Sequence, residues 1–379
     1  MNFEFSDDQE QLRDACARWV EKGYPFDRRR SIVENGGFSW EAWRELAALG
    51  LTGLYVPQDF GGMEMGPIDA LVVLEELGKG IVLEPLSQAL VCSRILMTYA
   101  PPAEQRRWLP AIASGDSLLV LAHQERRSRY RLDHCETQAT ENPGGWTLSG
   151  AKSMVPAGDL AHAFIVPAVL EGQLALWIVE RQASGVHLLE YGMQDGSRAA
   201  ELTLNDSPAT LLTNDGSAAL ALAFDTGVAA VCAEAVGAMD RIFSLTVDYL
   251  KTRQQFGVPI SEFQALRHRV ADMKMHLELA RSMSYYASLN LEEALPDRRL
   301  AISQAKHQLG TSMRFVGQQS VQLHGGIGLT DEYIGSHYFR VLTQKEMTWG
   351  DTSHHLEVIS ARIQAQASSD PVQPFSAAA

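Results

Sequence analysis

The strongest constraint on this chain is a double change of texture along its length, from helical spacing to short β-branched runs and back to helical spacing. In the first third, Ser6 with Gln9 three residues on makes a capping box. Leu12, Cys16, Trp19 and Val20 then recur at helical intervals. Ser39 opens a second helix with Trp43 and Leu46 on one face, stopped by Gly50, and a turn cluster from Pro57 to Gly66 leads into a third helix over Pro67 to Gly78. From about Leu118 short apolar runs alternate with Gly, Pro and Asn. They predict strands at Leu118–His123, Trp146–Val155, His162–Val169, Leu174–Glu180, Val186–Tyr191 and Ala200–Leu204, a small antiparallel barrel or sandwich. Helical spacing returns at 226–252, 262–290, 298–322 and 352–366, the pattern of a four-helix bundle. The predicted organisation is a helical domain over 1–117, a β domain over 118–215, a bundle over 216–366 and a disordered tail over 367–379.

Composition narrows the function classes. The chain has 379 residues with 46 Asp+Glu against 32 Lys+Arg, a net charge of −14, which argues against a non-specific binder of nucleic acid or anionic membrane. An apolar share of 46% and a charged share of 21% are those of a globular protein, not a disordered or collagenous one. Positive charge is confined to islands, Arg28-Arg29-Arg30 and the run Arg126, Arg127, Arg129, Arg131. Cys16, Cys92, Cys135 and Cys232 form no C-x-x-C pair and suggest neither zinc nor a disulfide framework. The acidic start does not resemble a secretory or transit peptide, and no uninterrupted apolar stretch approaches the ~18 residues that span a bilayer, so a cytoplasmic location is expected.

Two segments carry chemistry. In Arg253-Gln254-Gln255-Phe256-Gly257-Val258-Pro259-Ile260, followed by Phe263-Gln264, an Arg at the end of one helix and a Gln at the start of the next can converge on one anion. A helix–helix corner with a solvated Arg is the equal alternative. In Gln322-Leu323-His324-Gly325-Gly326-Ile327-Gly328 a Gly-Gly-x-Gly run lets a ligand approach backbone N–H groups, although Gly clusters also serve as plain turns.

Together with the three-part order, these segments resemble the acyl-CoA dehydrogenase family of flavoproteins. The resemblance spans nearly the whole chain and includes Val56-Pro57-Gln58-Asp59-Phe60-Gly61-Gly62, Glu75-Glu76-Leu77-Gly78 and Leu148-Ser149-Gly150-Ala151-Lys152. It implies a helical N-terminal domain, a central β-barrel and a C-terminal four-helix bundle, and an FAD-dependent α,β-dehydrogenation of an acyl-CoA thioester with an electron-transfer flavoprotein as acceptor. By resemblance Arg253, Phe256, Gln264, Gln322, Gly325 and Gly326 touch FAD held mainly by a neighbouring subunit, and Thr352 and Ser353 join the cofactor-binding set.

The chain departs from the family pattern where the chemistry is done. The family's Y-E-G-T segment falls on Thr348-Trp349-Gly350-Asp351, with Trp349 in place of the carboxylate base, and the alternative base position on the first bundle helix falls on Gly227. Asp351 is the nearest carboxylate; it is either a relocated base or the N-cap of the next helix. The family's T-E-P-x-x-G-S-D loop and W-I-T strand are replaced by His123-Gln124-Glu125-Arg126-Arg127-Ser128-Arg129-Tyr130 and Met154-Val155-Pro156, exchanging small donors for long arginines and a Pro with no N–H. A chain that keeps the contacts lent across an interface and loses its own cradle is expected to work in a heteromer with a homologous subunit, resembling the small subunit of pimeloyl-CoA or of steroid and bile-acid side-chain dehydrogenases. The alternatives are a flavin-dependent monooxygenase on the same fold and a non-catalytic structural subunit. His354-His355 lacks a completing carboxylate, so no metal site is expected.

Overall fold

The computed structural model describes residues 5–369. Ser6 Oγ accepts from Gln9 N–H and Gln9 Oε1 accepts from Ser6 N–H, so the expected box does start α1, Asp7–Arg18. Helices α2 (Phe26–Glu34), α3 (Trp40–Ala48, capped by Ser39) and α4 (Pro67–Lys79) follow. Two further helices, α5 (Leu86–Tyr99) and α6 (Pro102–Ala113), were not expected, and neither was α2. In α5, Leu86, Ala89, Leu90, Val91, Cys92, Ile95 and Leu96 are all buried, so no polar face sets a 3.6-residue rhythm.

The β region holds seven strands: β1 (Leu119–Leu121), β2 (Gln138–Asn142), β3 (Gly145–Pro156), β4 (Ala163–Leu170), β5 (Gln173–Glu180), β6 (Val186–Gly192) and β7 (Arg198–Thr213). The order β1-β4-β2-β3-β7-β5 closes on itself through β4–β5, and β6 adds to β7. This corrects the wholly antiparallel expectation: β1 and β2 both run parallel to β4, the crossover that a parallel neighbour needs being the β2–β3 hairpin for β1 and strand β3 for β2. Strand β2 escaped prediction because its polar residues show no apolar alternation.

The C-terminal part contains α7 (Gly216–Thr252), α8 (Gln264–Leu289), α9 (Asp297–His324), α10 (Ile334–Met347) and α11 (Thr352–Ser369). The bundle thus gains α10 beyond the four helices expected, and α7 begins ten residues early under an Asp215 cap. Helix α11 runs to Ser369, past the expected end at 366; the remainder of the expected tail, 370–379, lies outside the described residues. By length and composition α7 is apolar enough to cross a membrane, yet 94% of that window is buried inside the protein. Helices α4 and α7 touch backbone to backbone: a Cβ on Gly78 would come within 2.8 Å of the Glu234 carbonyl carbon, and one on Gly237 within 2.8 Å of that of Glu75. This contact fixes the helical layer against the bundle and sets the roof of the cavity described next.

Candidate active-site cavity and cofactor contacts

A cavity of about 320 Å³ opens where three parts of the chain meet. The end of α4 and the segment to Gln88 form one wall, the ends of β1, β3 and β6 a second, and α7, α10 and Trp349 a third. Leu77, Ile81, Val82, Leu160, Val231 and Val341 make it largely apolar, the usual character of a small-molecule site.

At its floor the two expected base positions prove to be one structural unit. A Cβ built on Gly227 would lie 2.6 Å from Cζ2 and 2.8 Å from Nε1 of Trp349, so the indole occupies the space a side chain at 227 would need. Trp349 holds φ at +59°, a left-handed conformation that a bulky residue adopts only under strong constraint. The constraint is visible. His123 stacks on the indole with centroids 4.9 Å apart and planes 7° apart, Phe224 meets it edge-on at 5.6 Å, and His355 Nε2 donates to Trp349 O at 2.9 Å. Burial lowers the His123 pKa to about 4 and that of His355 to about 2, so both rings are neutral near pH 7.

Asp351 is not on the cavity wall. Its Oδ1 accepts from His354 N–H at 2.8 Å, capping α11, and its Oδ2 pairs with Arg129 at 3.0 Å. Of the cavity's own carboxylates, Glu234 is paired with Lys345, Asp195 accepts from the N–H and hydroxyl of Ser197 at 3.0 and 2.6 Å, and Glu84 accepts from Ser39 N–H at 3.1 Å. The arginine run is neutralised locally: Arg126 by Glu201, Arg127 by Glu136, Arg129 by Asp351 and Arg131 by Asp133. Arg29 behaves differently from its neighbours Arg28 and Arg30. It is 1% exposed and donates to Ile81 O (2.8 Å) and Asp195 O (2.5 Å), with His337 Nδ1 at 3.2 Å, a strut joining α2 to the β domain and α10. Its place three residues from both Phe26 and Ile32 was the sequence signal for an inward position.

Arg253 and the Gly325–Gly326 run lie at one end of the bundle. The Tyr249 ring, one turn before Arg253, packs on His324 with centroids 4.6 Å apart, and His324 Nδ1 bonds to Ser320 O at 2.8 Å. His324 is therefore the joint between the two segments. Arg253 makes no side-chain hydrogen bond or ion pair among the described residues, and Gln264 and Gln322 are exposed. Phe256 is 92% exposed at the tip of the short hairpin pairing Gln255 with Val258. Gly325 has φ +66°, and a Cβ on it or on Gly326 would meet nothing within 4 Å, so the backbone there is open to a ligand. Thr352 and Ser353 are not brought to this end. Gly310 packs on Thr352, and Gly310 to Gly325 along α9 is roughly 20 Å at 1.5 Å per residue. The Thr352 hydroxyl is engaged by Glu346 at 2.5 Å.

These donor sets fit FAD unequally. A guanidinium with no internal partner, at the same end of the bundle as two open glycines, suits a pyrophosphate. Along the cavity wall, where a flavin ring needs donors, Met154 N–H is taken by Glu201 (3.2 Å), Ser153 N–H by Gln124 O (2.8 Å) and Ala157 N–H by Arg198 O (2.9 Å), while Pro156 has none. Glu125, in the loop before it, is turned inward onto Lys152 at 2.7 Å, and Ser128 closes that loop on Glu125. Among the described residues no group of three His, Cys, Asp or Glu side chains gathers for a metal.

Comparison with known proteins agrees with this layout. Residues 6–116 match the model of the acyl-CoA dehydrogenase N-terminal domain and residues 214–364 that of the acyl-CoA dehydrogenase C-terminal domain. The chain is 28% identical over 351 residues to the probable acyl-CoA dehydrogenase YngJ of Bacillus subtilis, covering 88% of this chain and 92% of that one. It is 26% identical to the acryloyl-CoA reductase (NADH) of Anaerotignum propionicum, covering 96% of both. Among solved structures, a variant of the Tcur3481-Tcur3483 steroid ACAD superposes with a TM-score of 0.89 at 29% identity, covering 96% of this chain and 99% of that one. Butyryl-CoA dehydrogenase of Megasphaera elsdenii does so with a TM-score of 0.88 at 25% identity, covering 96% and 100%.

Proposed function

The chain belongs to the acyl-CoA dehydrogenase family of FAD-dependent oxidoreductases, and from that membership we propose that it works as one subunit of a heteromer, ill-suited to hold the flavin ring but equipped to lend phosphate contacts. The observation that carries this reading is the contrast between the two donor sets, one free and open at Arg253, Gly325 and Gly326, the other already committed along the cavity wall. Bound FAD supplies the hydride-accepting capacity for α,β-dehydrogenation of an acyl-CoA. On this reading Arg253 gives paired N–H donors to the pyrophosphate, Gly325 and Gly326 allow it to approach the backbone, Gln264 and Gln322 add amide contacts, and Phe256 covers an apolar part of the cofactor.

A homologous partner supplies the ring cradle and the base, because Trp349 and Gly227 leave no acid at either position here. Asp351 acts as a helix cap on this reading, and Thr352 and Ser353 serve the bundle of this chain rather than the lent contacts. The two-component name of the Tcur3481-Tcur3483 steroid ACAD supports a heteromeric assembly. On this reading an electron-transfer flavoprotein is the electron acceptor.

Native mass spectrometry of the protein purified from its source tests the assembly, with a tetramer of two chain types expected. An active, fully flavinylated homo-oligomer of this chain alone refutes it. Arg253→Ala in the complex tests the lent contact through the FAD retained per tetramer.

A further inference from the structure

Three rings cluster at the end of the bundle that carries Arg253 and the two open glycines. His324, 4% exposed, packs on Tyr249 of α7 with centroids 4.6 Å apart and on Tyr333, at the start of α10, with centroids 4.9 Å apart. Two hydrogen bonds lock the imidazole. Ser320 O can only accept, so His324 Nδ1 carries the proton that meets it at 2.8 Å. Burial lowers the His324 pKa and keeps the ring neutral, which leaves Nε2 bare, and the Tyr333 hydroxyl donates to it at 2.7 Å. The chain makes room for these rings: a Cβ on Gly335 would stand 2.6 Å from Cε1 of Tyr333, and one on Gly328 would stand 3.0 Å from Cβ of His324. Each side of the cluster carries one half of the phosphate contacts. Arg253 N–H donates to Tyr249 O at 2.8 Å and Arg253 O accepts from Ile260 N–H at 2.8 Å, so its backbone is pinned to the residue that packs on His324. Gly325 and Gly326 follow His324 directly, and Gly325 N–H bonds back to Val321 O and Gln322 O in the last turn of α9.

We propose that the Tyr333 hydroxyl and the His324 ring are a positioning pair that sets the spacing between Arg253 and the Gly325–Gly326 run, so that both reach one pyrophosphate of FAD. Neither residue needs to touch the cofactor. The hydroxyl fixes how the imidazole is turned, the imidazole fixes Tyr249 against the end of α9, and the gap between guanidinium and glycines follows. Hydrogen bonds weaken steeply with misalignment, so an anion held from two sides depends on that gap. The inference rests on the reading of Arg253 and the glycines as contacts lent to FAD, and adds to it what holds them in register.

The release of FAD from the diluted complex, followed by the rise in free-flavin fluorescence, tests the proposal. Tyr333→Phe keeps the ring and deletes only the hydroxyl. Loss of one hydrogen bond predicts that FAD leaves about two- to tenfold faster than from the wild type. Spacing matters only while both halves are present, so adding Tyr333→Phe to Arg253→Ala is expected to leave the rate of the Arg253→Ala complex unchanged. His324→Gln keeps an amide donor and acceptor but removes the ring that Tyr249 packs on, and the same non-additive pattern is expected of it. An unchanged rate in both single variants, or an equal acceleration with and without Arg253, overturns the positioning role alone; the second result is what a general loosening of the bundle gives. An Arg253→Ala complex that keeps FAD as long as the wild type overturns the reading of a lent contact, and the positioning role with it.

Discussion

Replacing Gly227 by Ala tests the interlock with Trp349 through the sign of its effect on stability. Gly227 lies inside α7, where an Ala ordinarily stabilises a helix by about 1 kcal/mol relative to Gly. Here the added methyl would stand 2.6–2.8 Å from Cζ2 and Nε1 of the indole, well inside van der Waals contact. Trp349 cannot retreat freely, because His123 and Phe224 hold its faces and His355 holds its carbonyl. Overpacking costs about 1–3 kcal/mol, and the still closer approach to Cε2 of the indole puts this case at the upper end, so a net loss of roughly 2 kcal/mol remains after the helix gain of about 1 kcal/mol. Thermal unfolding followed by circular dichroism is then expected to show a midpoint lowered by about 2–3 °C, at roughly 1.3 °C per kcal/mol for a chain of this size. In a Trp349→Ala background the same Gly227→Ala change meets no indole and becomes stabilising. A Gly227→Ala protein with an unchanged or raised midpoint refutes the interlock, as does a loss of the same size in both backgrounds.

Three further outcomes are expected. Asp351→Asn keeps a capping oxygen and leaves the unfolding midpoint nearly unchanged, while Asp351→Ala loses about 0.5–2 kcal/mol; a large loss of turnover in the Asn variant with stability intact identifies Asp351 as the base instead. Arg253→Ala releases FAD from the complex without lowering the unfolding temperature of the isolated chain, since the side chain has no internal partner; unchanged FAD content in a spectrophotometric assay contradicts its assignment. Burial lowers the His355 pKa to about 2, while the unfolded chain takes up that proton near 6.5, so the stability it contributes is full above pH 6.5 and declines as pH falls below it. His355→Gln keeps a donor for Trp349 O and cannot titrate, so its unfolding midpoint is expected to fall less steeply between pH 6.5 and 4; parallel pH profiles for the two proteins count against this.

Local signals in the chain were legible where one residue decides one structure. Ser6 with Gln9, Ser39 before Trp40 and Pro67 at the start of α4 each mark a helix start through their own hydrogen bonds or fixed φ. Elements without such a marker were missed: α5 because burial on most sides erases its period, β2 because it is polar throughout, and α10 because Gly335-Ser336-His337 interrupts its apolar pattern. Resemblance supplied the three-part fold, including a β region that strand counting alone left as barrel or sandwich. At the site, the absence of an acid at Gly227 and at Trp349 could be read from the residues, but only as two separate facts. Their contact joins positions far apart in sequence and depends on a left-handed φ at Trp349, which no local pattern announces. Glu84 and Gln88, buried on the cavity wall, were equally silent, since a Glu just before Pro85 and a Gln three residues after it look like an ordinary exposed helix entry.

The fit of the Trp349 indole against Gly227 also bears on how the chain can change. Introducing an acid at 227 alone drives a carboxylate into the indole. Exchanging Trp349 for an acid alone removes the ring that His123 and Phe224 pack against and opens a void costing on the order of 3–5 kcal/mol. Either single step passes through a destabilised protein, so recovery of a base needs both positions to move together. The missing acid is thus held as a ratchet holds a wheel: the packing that replaced it now blocks its return.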